Sequence, residues 1–262
     1  MIPKIIHYCW LGGGELPVSV QLCIDSWKKY CPDYEIKQWD ESNFDFLSHP
    51  FMQEAIKNKA WGFVPDVARL QIVYLYGGIY LDTDVEICRS LDDLLENKTF
   101  FGRETADRVN LGSGFGAEPK QPIIKDLLSD YEGLHFINSD GSFNRIPSPR
   151  IQTNRLKQKG LIAEDINQDL GDCVVYKTDY FCPLSPDTGI LNVTKDTYSI
   201  HHFDGSWLSE KEIRMSNHKK RIYKRFGSLG QFIWDLIKIK DMVACYGWKE
   251  TRKRFLKRVR GS

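Results

Sequence analysis

Residues 63–86 read FVPDVARLQIVYLYGGIYLDTDVE, and the rest of the chain is organised around them. Pro65 suits the first turn of a helix, and Val67, Leu70, Val73 and Tyr74 recur at helical spacing, so the first half is a partly buried helix that Gly77-Gly78 ends. Ile79-Tyr80-Leu81 is a short apolar run with strand character, and it stops at Asp82-Thr83-Asp84. Alternation along a strand puts residues i and i+2 on one face, which predicts that Asp82 and Asp84 point the same way at a sheet edge. Two carboxylates so placed repel each other unless a cation or donor groups lie between them. A hard divalent ion such as Mg2+ or Mn2+ fits, with substrate phosphates completing its shell. A bare D-x-D also occurs in solvated turns; the order helix, glycine break, strand and acidic tip favours the metal.

Upstream, residues 52–61 read as a helix, residues 34–39 alternate as a strand, and Trp39-Asp40-Glu41-Ser42-Asn43 is a polar turn where α/β folds collect ligand contacts. Residues 16–30 carry Val20, Cys23, Ile24 and Trp27 on one helical stripe that Pro32 stops. Residues 2–10 form a first strand running into Gly12-Gly13-Gly14, a place that approaches nucleotides in many α/β domains, although no G-x-G-x-x-G is present. Downstream, residues 91–95 predict a short helix and residues 99–103 a strand. Residues 110–117, NLGSGFGA, read equally well as a phosphate cradle or as a strand needing close backbone approach. Residues 122–134 predict a helix, residues 146–155 a proline-broken loop entering another, and residues 174–181 a strand. This alternation argues an α/β sheet with crossovers.

The length of 262 residues allows one large domain or one with an appendage. The net charge of +1 hides an asymmetry: residues 211–262 hold 16 Lys or Arg against 4 Asp or Glu, and the remainder 20 against 31. Seven cysteines without a C-x-x-C pair favour free thiols in a reducing cytosol over a disulfide framework or zinc ribbon. The N-terminal residues lack a secretory signal, and residues 232–243, the most apolar run, are interrupted by Asp235, Lys238, Lys240 and Asp241. A cytoplasmic protein that touches a membrane without crossing it is the expectation.

Residues 198–207, YSIHHFDGSW, add two histidines after a short strand. Alternation lets only one of His201 and His202 face a site, and neutral imidazole also suits Mn2+. Spacing alone leaves open whether either is a ligand.

MIPKIIHYCWLGG, PDVARLQIVYLYGGIYLDTDVE and HHFDGSW together resemble the metal-dependent glycosyltransferases with a DXD sugar-binding region, glycosyltransferase family 32. They are more distantly similar to the glucosyltransferase domains of large clostridial toxins. The resemblance implies a GT-A-type, Rossmann-like nucleotide-sugar-binding domain with a mixed central sheet over residues 1–208, a UDP-sugar donor, and Mn2+ or Mg2+. It assigns Trp10 to stacking on uracil, Asn43 to the nucleotide, Asp66 and Arg69 to the donor sugar or its phosphates, and Tyr80 to a place along the nucleotide. Asp82 is expected to hold ribose and sugar hydroxyls and assist the metal, Asp84 to bind it directly, and His202 to close its shell. Ser206 and Trp207 are expected on the diphosphate, and His201 in a structural role. Asn110 and residues 149–153 fall where family members meet donor or acceptor, so Asn110 joins Asp82, Asp84 and Arg69 in the expected catalytic set.

The implied activity is hexosyl transfer with retention to a lipid-linked saccharide in capsule or other bacterial surface polysaccharide synthesis. A protein acceptor is the alternative for the same site, and a noncatalytic sugar-nucleotide or membrane-binding module is the alternative from another class. Residues 209–262 read as a basic helical C-terminal extension. Its interleaved Ile213, Ile222, Phe226 and Lys or Arg residues suit a solvated face or, as favoured here, an anionic membrane surface. Motifs for nucleic acid are missing. The expected location is peripheral, at the inner face of the cell membrane.

Overall fold

Strand β1 (Ile5–Cys9) sends Ile6 and Tyr8 to one side of a sheet and Cys9 to the other, in a computed structural model that describes residues 1–205 and 208–259. The same division repeats at β3 (Gly78–Tyr80), where Ile79 and Tyr80 part, and at β5 (Thr99–Thr105), where Phe100 and Phe101 do. Each side is a hydrophobic core, and each is covered by helices. The remaining elements of the sheet unit are α1 (Val18–Tyr30), β2 (Glu35–Trp39), α2 (Pro50–Lys57), α3 (Pro65–Tyr76), β4 (Val85–Ile87), β6 (Arg108–Val109), β7 (Phe115–Ala117), α4 (Pro122–Ser129), α5 (Ser148–Gln158), β8 (Gln168–Asp169), β9 (Val174–Tyr176), α6 (Thr178–Phe181) and β10 (Ser199–His201).

The strand order is β2-β1-β3-β7-β5-β9-β8, with β6 paired to β5 and with β4 and β10 forming a separate antiparallel pair. β2, β1 and β3 run parallel, β7 runs antiparallel between β3 and β5, and β9 is parallel to β5. This is the mixed central sheet that the resemblance implies. The α1 stripe of Val20, Ile24 and Trp27 covers one core together with Val85, Ile87 and Phe181, while α2, α3, α4 and α5 enclose the other.

His7 ties the middle of this sheet together. Its Nε2 lies 2.9 Å from the Gly77 carbonyl and its Nδ1 3.1 Å from Trp39 Nε1. Trp39 Nε1 can only donate, so the neutral Nε2–H tautomer satisfies both contacts. Gly78, at φ +90°, lets β3 pass this ring; a Cβ there would lie 2.8 Å from His7 Nε2. Burial holds the His7 pKa down at about 4.

Several local predictions shift, and the helix expected over residues 122–134 ends at Ser129. The strand predicted over residues 174–181 ends at Tyr176, because α6 follows and packs the Phe181 ring against Gly102, where a Cβ would meet it at 2.7 Å. Residues 110–117 divide into a 3-10 turn, Leu111–Ser113, and strand β7, so close backbone approach rather than a phosphate cradle explains their glycines: a Cβ on Gly116 would lie 2.6 Å from Phe100.

Among the described residues, 1–185 and 191–205 make one compact unit, and 186–190 with 208–259 make the second. Five residues of an earlier loop, 186–190, join the second unit. That unit contains α7 (Glu210–Phe226), opened by a Ser209–Glu212 capping box, and α8 (Gly230–Val259), broken at Gly247 where φ is +74°. Tyr223 meets the start of α8 closely: a Cβ on Gly230 would lie 2.9 Å from Tyr223 Cα. No helix among the described residues is long and apolar enough to cross a membrane.

Candidate metal and donor site

β3 ends at Tyr80, and Asp82, Thr83 and Asp84 form a tight turn closed by the Val85 amide donating to the Asp82 carbonyl at 3.1 Å. The two carboxylates therefore converge through a turn, not through strand alternation. Asp82, Asp84 and His201 bring one ligand atom each within 4.8 Å of one another. Among the described residues no other group of three His, Cys, Asp or Glu side chains comes so close.

The histidine at the aspartates is His201, where the resemblance assigned His202. β10 pairs with β4 so that His201 lies opposite Val85, buried, with Nε2 3.1 Å from Asp84 Oδ1. His202 has left the strand; its ring turns to Glu86 at 3.1 Å, and its backbone amide donates to the Asp84 carbonyl. Asp84 Oδ2 accepts the amide of Asp204 at 3.0 Å. Phe203 makes this possible by adopting φ +56°, unusual for a residue with a Cβ, and its ring stacks on His201 at 4.1 Å. Burial works against the Asp84 carboxylate, but the His201 charge and hydrogen bond and the Asp204 amide outweigh it and hold the pKa at about 2. Burial likewise disfavours imidazolium at His201, yet Asp84 holds its pKa well above the ordinary value.

Arg69 stands behind the acidic turn. Buried on α3, it donates from Nε to the Pro65 carbonyl at 2.9 Å and from Nη2 to Asp66 Oδ1 at 2.7 Å, and its Nη1 lies 3.6 Å from Asp82 Oδ2. It also lies over the Tyr80 ring, 5.3 Å from the centroid. Burial pushes Asp66 up to about 6, against the pull of Arg69 and the Ser148 hydroxyl. Ser148 opens α5, and α5 also grips the next turn: Gln152 Oε1 accepts from the Leu111 amide at 3.2 Å and Thr153 Oγ1 from the Val109 amide at 2.9 Å. That turn carries Gly112, whose carbonyl accepts from the Asp82 amide at 2.9 Å. A Cβ on Gly112 would lie 2.0 Å from Asp82 Oδ2.

The other expected residues divide in two. Asn110 is half-buried in the turn beside Asp82, and its side-chain oxygen caps that turn by accepting from the Gly112 amide at 2.8 Å. Tyr80 is buried beneath Arg69 rather than lining an open surface. Trp10 is half-buried at the end of β1, with Nε1 donating to the Gly14 carbonyl at 2.7 Å. Asn43 spends both ends of its amide on the turn after β2, accepting from Asp40 and donating to the Gln38 carbonyl. Ser206 and Trp207 lie outside the described residues.

Two carboxylates and an imidazole that gives up its proton on binding are a fitting donor set for a hard or borderline divalent ion, and the charge that Asp84 keeps at neutral pH favours one. Asp82 and Asp84 retain part of their surface, with side-chain exposures of 28% and 17%, so the set is reachable from solvent.

Residues 17–101 match the glycosyltransferase sugar-binding region containing a DXD motif. A protein of Acanthamoeba polyphaga mimivirus, described as an uncharacterized glycosyltransferase, is 25% identical over 218 residues, covering 79% of this chain and 84% of the viral one. Inositol phosphoceramide mannosyltransferase 3 of Schizosaccharomyces pombe is 38% identical over 146 residues, covering 52% of this chain and 40% of the yeast protein. The chain thus spans only about two fifths of that relative's length. Among solved structures, PaToxG glycosyltransferase superposes with a TM-score of 0.47 at 20% identity, covering 61% of this chain and 69% of that one. Helices cover both faces of a mixed sheet, and the acidic turn follows directly after a central strand.

Proposed function

We propose that this chain, which carries the DXD sugar-binding region over residues 17–101, is a glycosyltransferase that moves a hexose, with retention, from a nucleoside diphosphate sugar to an acceptor carried on a lipid, and that the transfer depends on Mn2+ or Mg2+. The observation that carries the reading is the convergence of Asp82, Asp84 and His201 within 4.8 Å, with Arg69 directly behind. Asp82, Asp84 and His201 would hold a divalent ion, which would supply positive charge to the departing diphosphate. The chain's own residues do the rest. Arg69 is fixed by Asp66 and the Pro65 carbonyl, so its charge is already oriented and costs no reorganisation during reaction. The Asp204 amide and the Phe203 stack hold Asp84 and His201 in place.

UDP is the nucleotide favoured by the family resemblance, while the yeast relative's name supports mannose as the sugar and an inositol phosphoceramide as the kind of acceptor. The lipid-linked saccharide that the sequence suggests and the inositol phosphoceramide in the relative's name share one feature, an acceptor carried on a lipid. Such an acceptor puts the enzyme at a membrane surface.

The test is slow donor hydrolysis without acceptor, using UDP-glucose, UDP-galactose, UDP-N-acetylglucosamine and GDP-mannose with Mn2+. One donor is expected to be cleaved, EDTA to stop the reaction, and Asp84→Ala to abolish it. Cleavage that survives both EDTA and Asp84→Ala overturns the proposal.

A further inference from the structure

Helix α8 has two apolar faces where a helical hairpin needs one. The inner line contains Trp234, buried, with its ring 5.9 Å from His218 of α7, and it packs in the same unit as the buried Ile222 and Tyr223. The outer line begins in the 3-10 turn before α8 with Leu229, 64% exposed, and continues with Phe232 at 65% and Leu236 at 50%. Phe232 and Leu236 are four residues apart and so lie one above the other on the helix; Ile239 and Val243, half-buried, prolong the line. Phe226, 44% exposed, ends α7 beside the same turn.

Charge decides what such a face meets. Residues 219–240 contain seven Lys or Arg against Asp235 alone. Lys224 and Arg225 are exposed next to Phe226, and Lys240 is exposed beside the Leu236 line. Large apolar side chains standing in solvent, flanked by cations, are the composition of a helix that lies in the headgroup region of an anionic bilayer, apolar face down. A second copy of this chain would bring the same cations against each other. Nucleic acid would answer the charge but not three exposed aliphatic and aromatic side chains without a stacking surface.

We infer that the α7–α8 hairpin is an interfacial membrane anchor, in which Leu229, Phe232 and Leu236 enter the acyl boundary of an anionic leaflet while Lys224, Arg225 and Lys240 pair with lipid headgroups. The inference gives the lipid-borne acceptor of the proposed function a physical location, but its geometry stands independently of the donor site.

The experiment is cosedimentation of the full-length protein with vesicles of phosphatidylcholine and phosphatidylglycerol, alongside vesicles of phosphatidylcholine alone, at 0.1 M salt. Binding to the anionic vesicles is expected, weakened at least tenfold by the triple change Leu229→Ser, Phe232→Ser, Leu236→Ser and also by Lys224→Glu with Arg225→Glu. All five positions are exposed and remote in sequence from the donor site, so Mn2+-dependent donor hydrolysis is expected to be unchanged and reports that the variants are folded. Loss of hydrolysis in the wild type with binding intact would sink the proposed function and leave the anchor standing. Equal binding by the triple variant, a dimer in solution that the triple variant dissolves, or retention on duplex DNA without vesicle binding would each overturn the anchor.

Discussion

Replacing Gly112 by Ala tests the packing beneath the acidic turn. The added Cβ would lie 2.0 Å from Asp82 Oδ2 and 2.9 Å from Arg69 Nη1. A carbon–oxygen contact relaxes at about 3.3 Å or more, so the carboxylate must retreat by about 1.3 Å. Gly112 is not in the left-handed region, so an alanine backbone is allowed and the whole effect comes from this contact. Neither neighbour yields easily. Arg69 is held by Asp66 and Pro65, and the Asp82 amide is bonded to the Gly112 carbonyl itself. Overpacking of this kind costs about 1–3 kcal/mol of stability. A displacement near 1 Å at the reacting centre lowers turnover about 100-fold. Urea unfolding and Mn2+-dependent donor hydrolysis measure the two effects separately. A Gly112→Ala protein with wild-type stability and wild-type hydrolysis would show that Asp82 does not occupy this position.

Two further predictions concern buried charge. Arg69→Met leaves Asp66, whose side chain is 9% exposed, without its cation, and is expected to cost about 3–5 kcal/mol in denaturant unfolding. Adding Asp66→Asn should recover part of that loss, and an additive double variant would refute the pairing. His7 is expected to titrate near pH 4 by NMR of its Cε1 proton, against an ordinary 6.5. Because the folded state refuses the proton, its contribution of about 3 kcal/mol is complete above pH 6.5 and disappears as pH falls through 4. Asp66, raised to about 6, acts in the opposite sense over pH 6 to 4, gaining stability on acidification, so the site-resolved titration and not global unfolding is the measurement. A His7 midpoint near 6.5 would contradict the Trp39–His7–Gly77 arrangement.

The elements around Phe63–Glu86 were legible because their signals are local. Helical spacing, a proline at the start, a glycine pair at the end and an apolar run before two aspartates each act within a few residues. The acidic turn was found for a partly mistaken reason, since a turn closed by Val85, not strand alternation, brings Asp82 and Asp84 together. The choice between His201 and His202 depends on the register of β10 against β4, more than 110 positions earlier, and adjacent histidines give no local hint of it. Gly112 is one of several glycines in residues 110–117, but its partner is a side chain 30 positions away and its spacing carries no trace of that contact. Phe203 in the left-handed region was unreadable for the opposite reason: its local preference points elsewhere, and the fold overrides it.

The central claim is that His201 completes the cation site formed by Asp82 and Asp84. Titration of Mn2+ into the full-length protein with UDP or GDP present, followed by electron paramagnetic resonance, tests it with His201→Ala beside His202→Ala. The expected result is a loss of at least about tenfold in Mn2+ affinity for His201→Ala, the smallest typical loss even for outer-shell partners, and an affinity close to wild type for His202→Ala. The reverse pattern, or equal affinity in all three proteins, would contradict it.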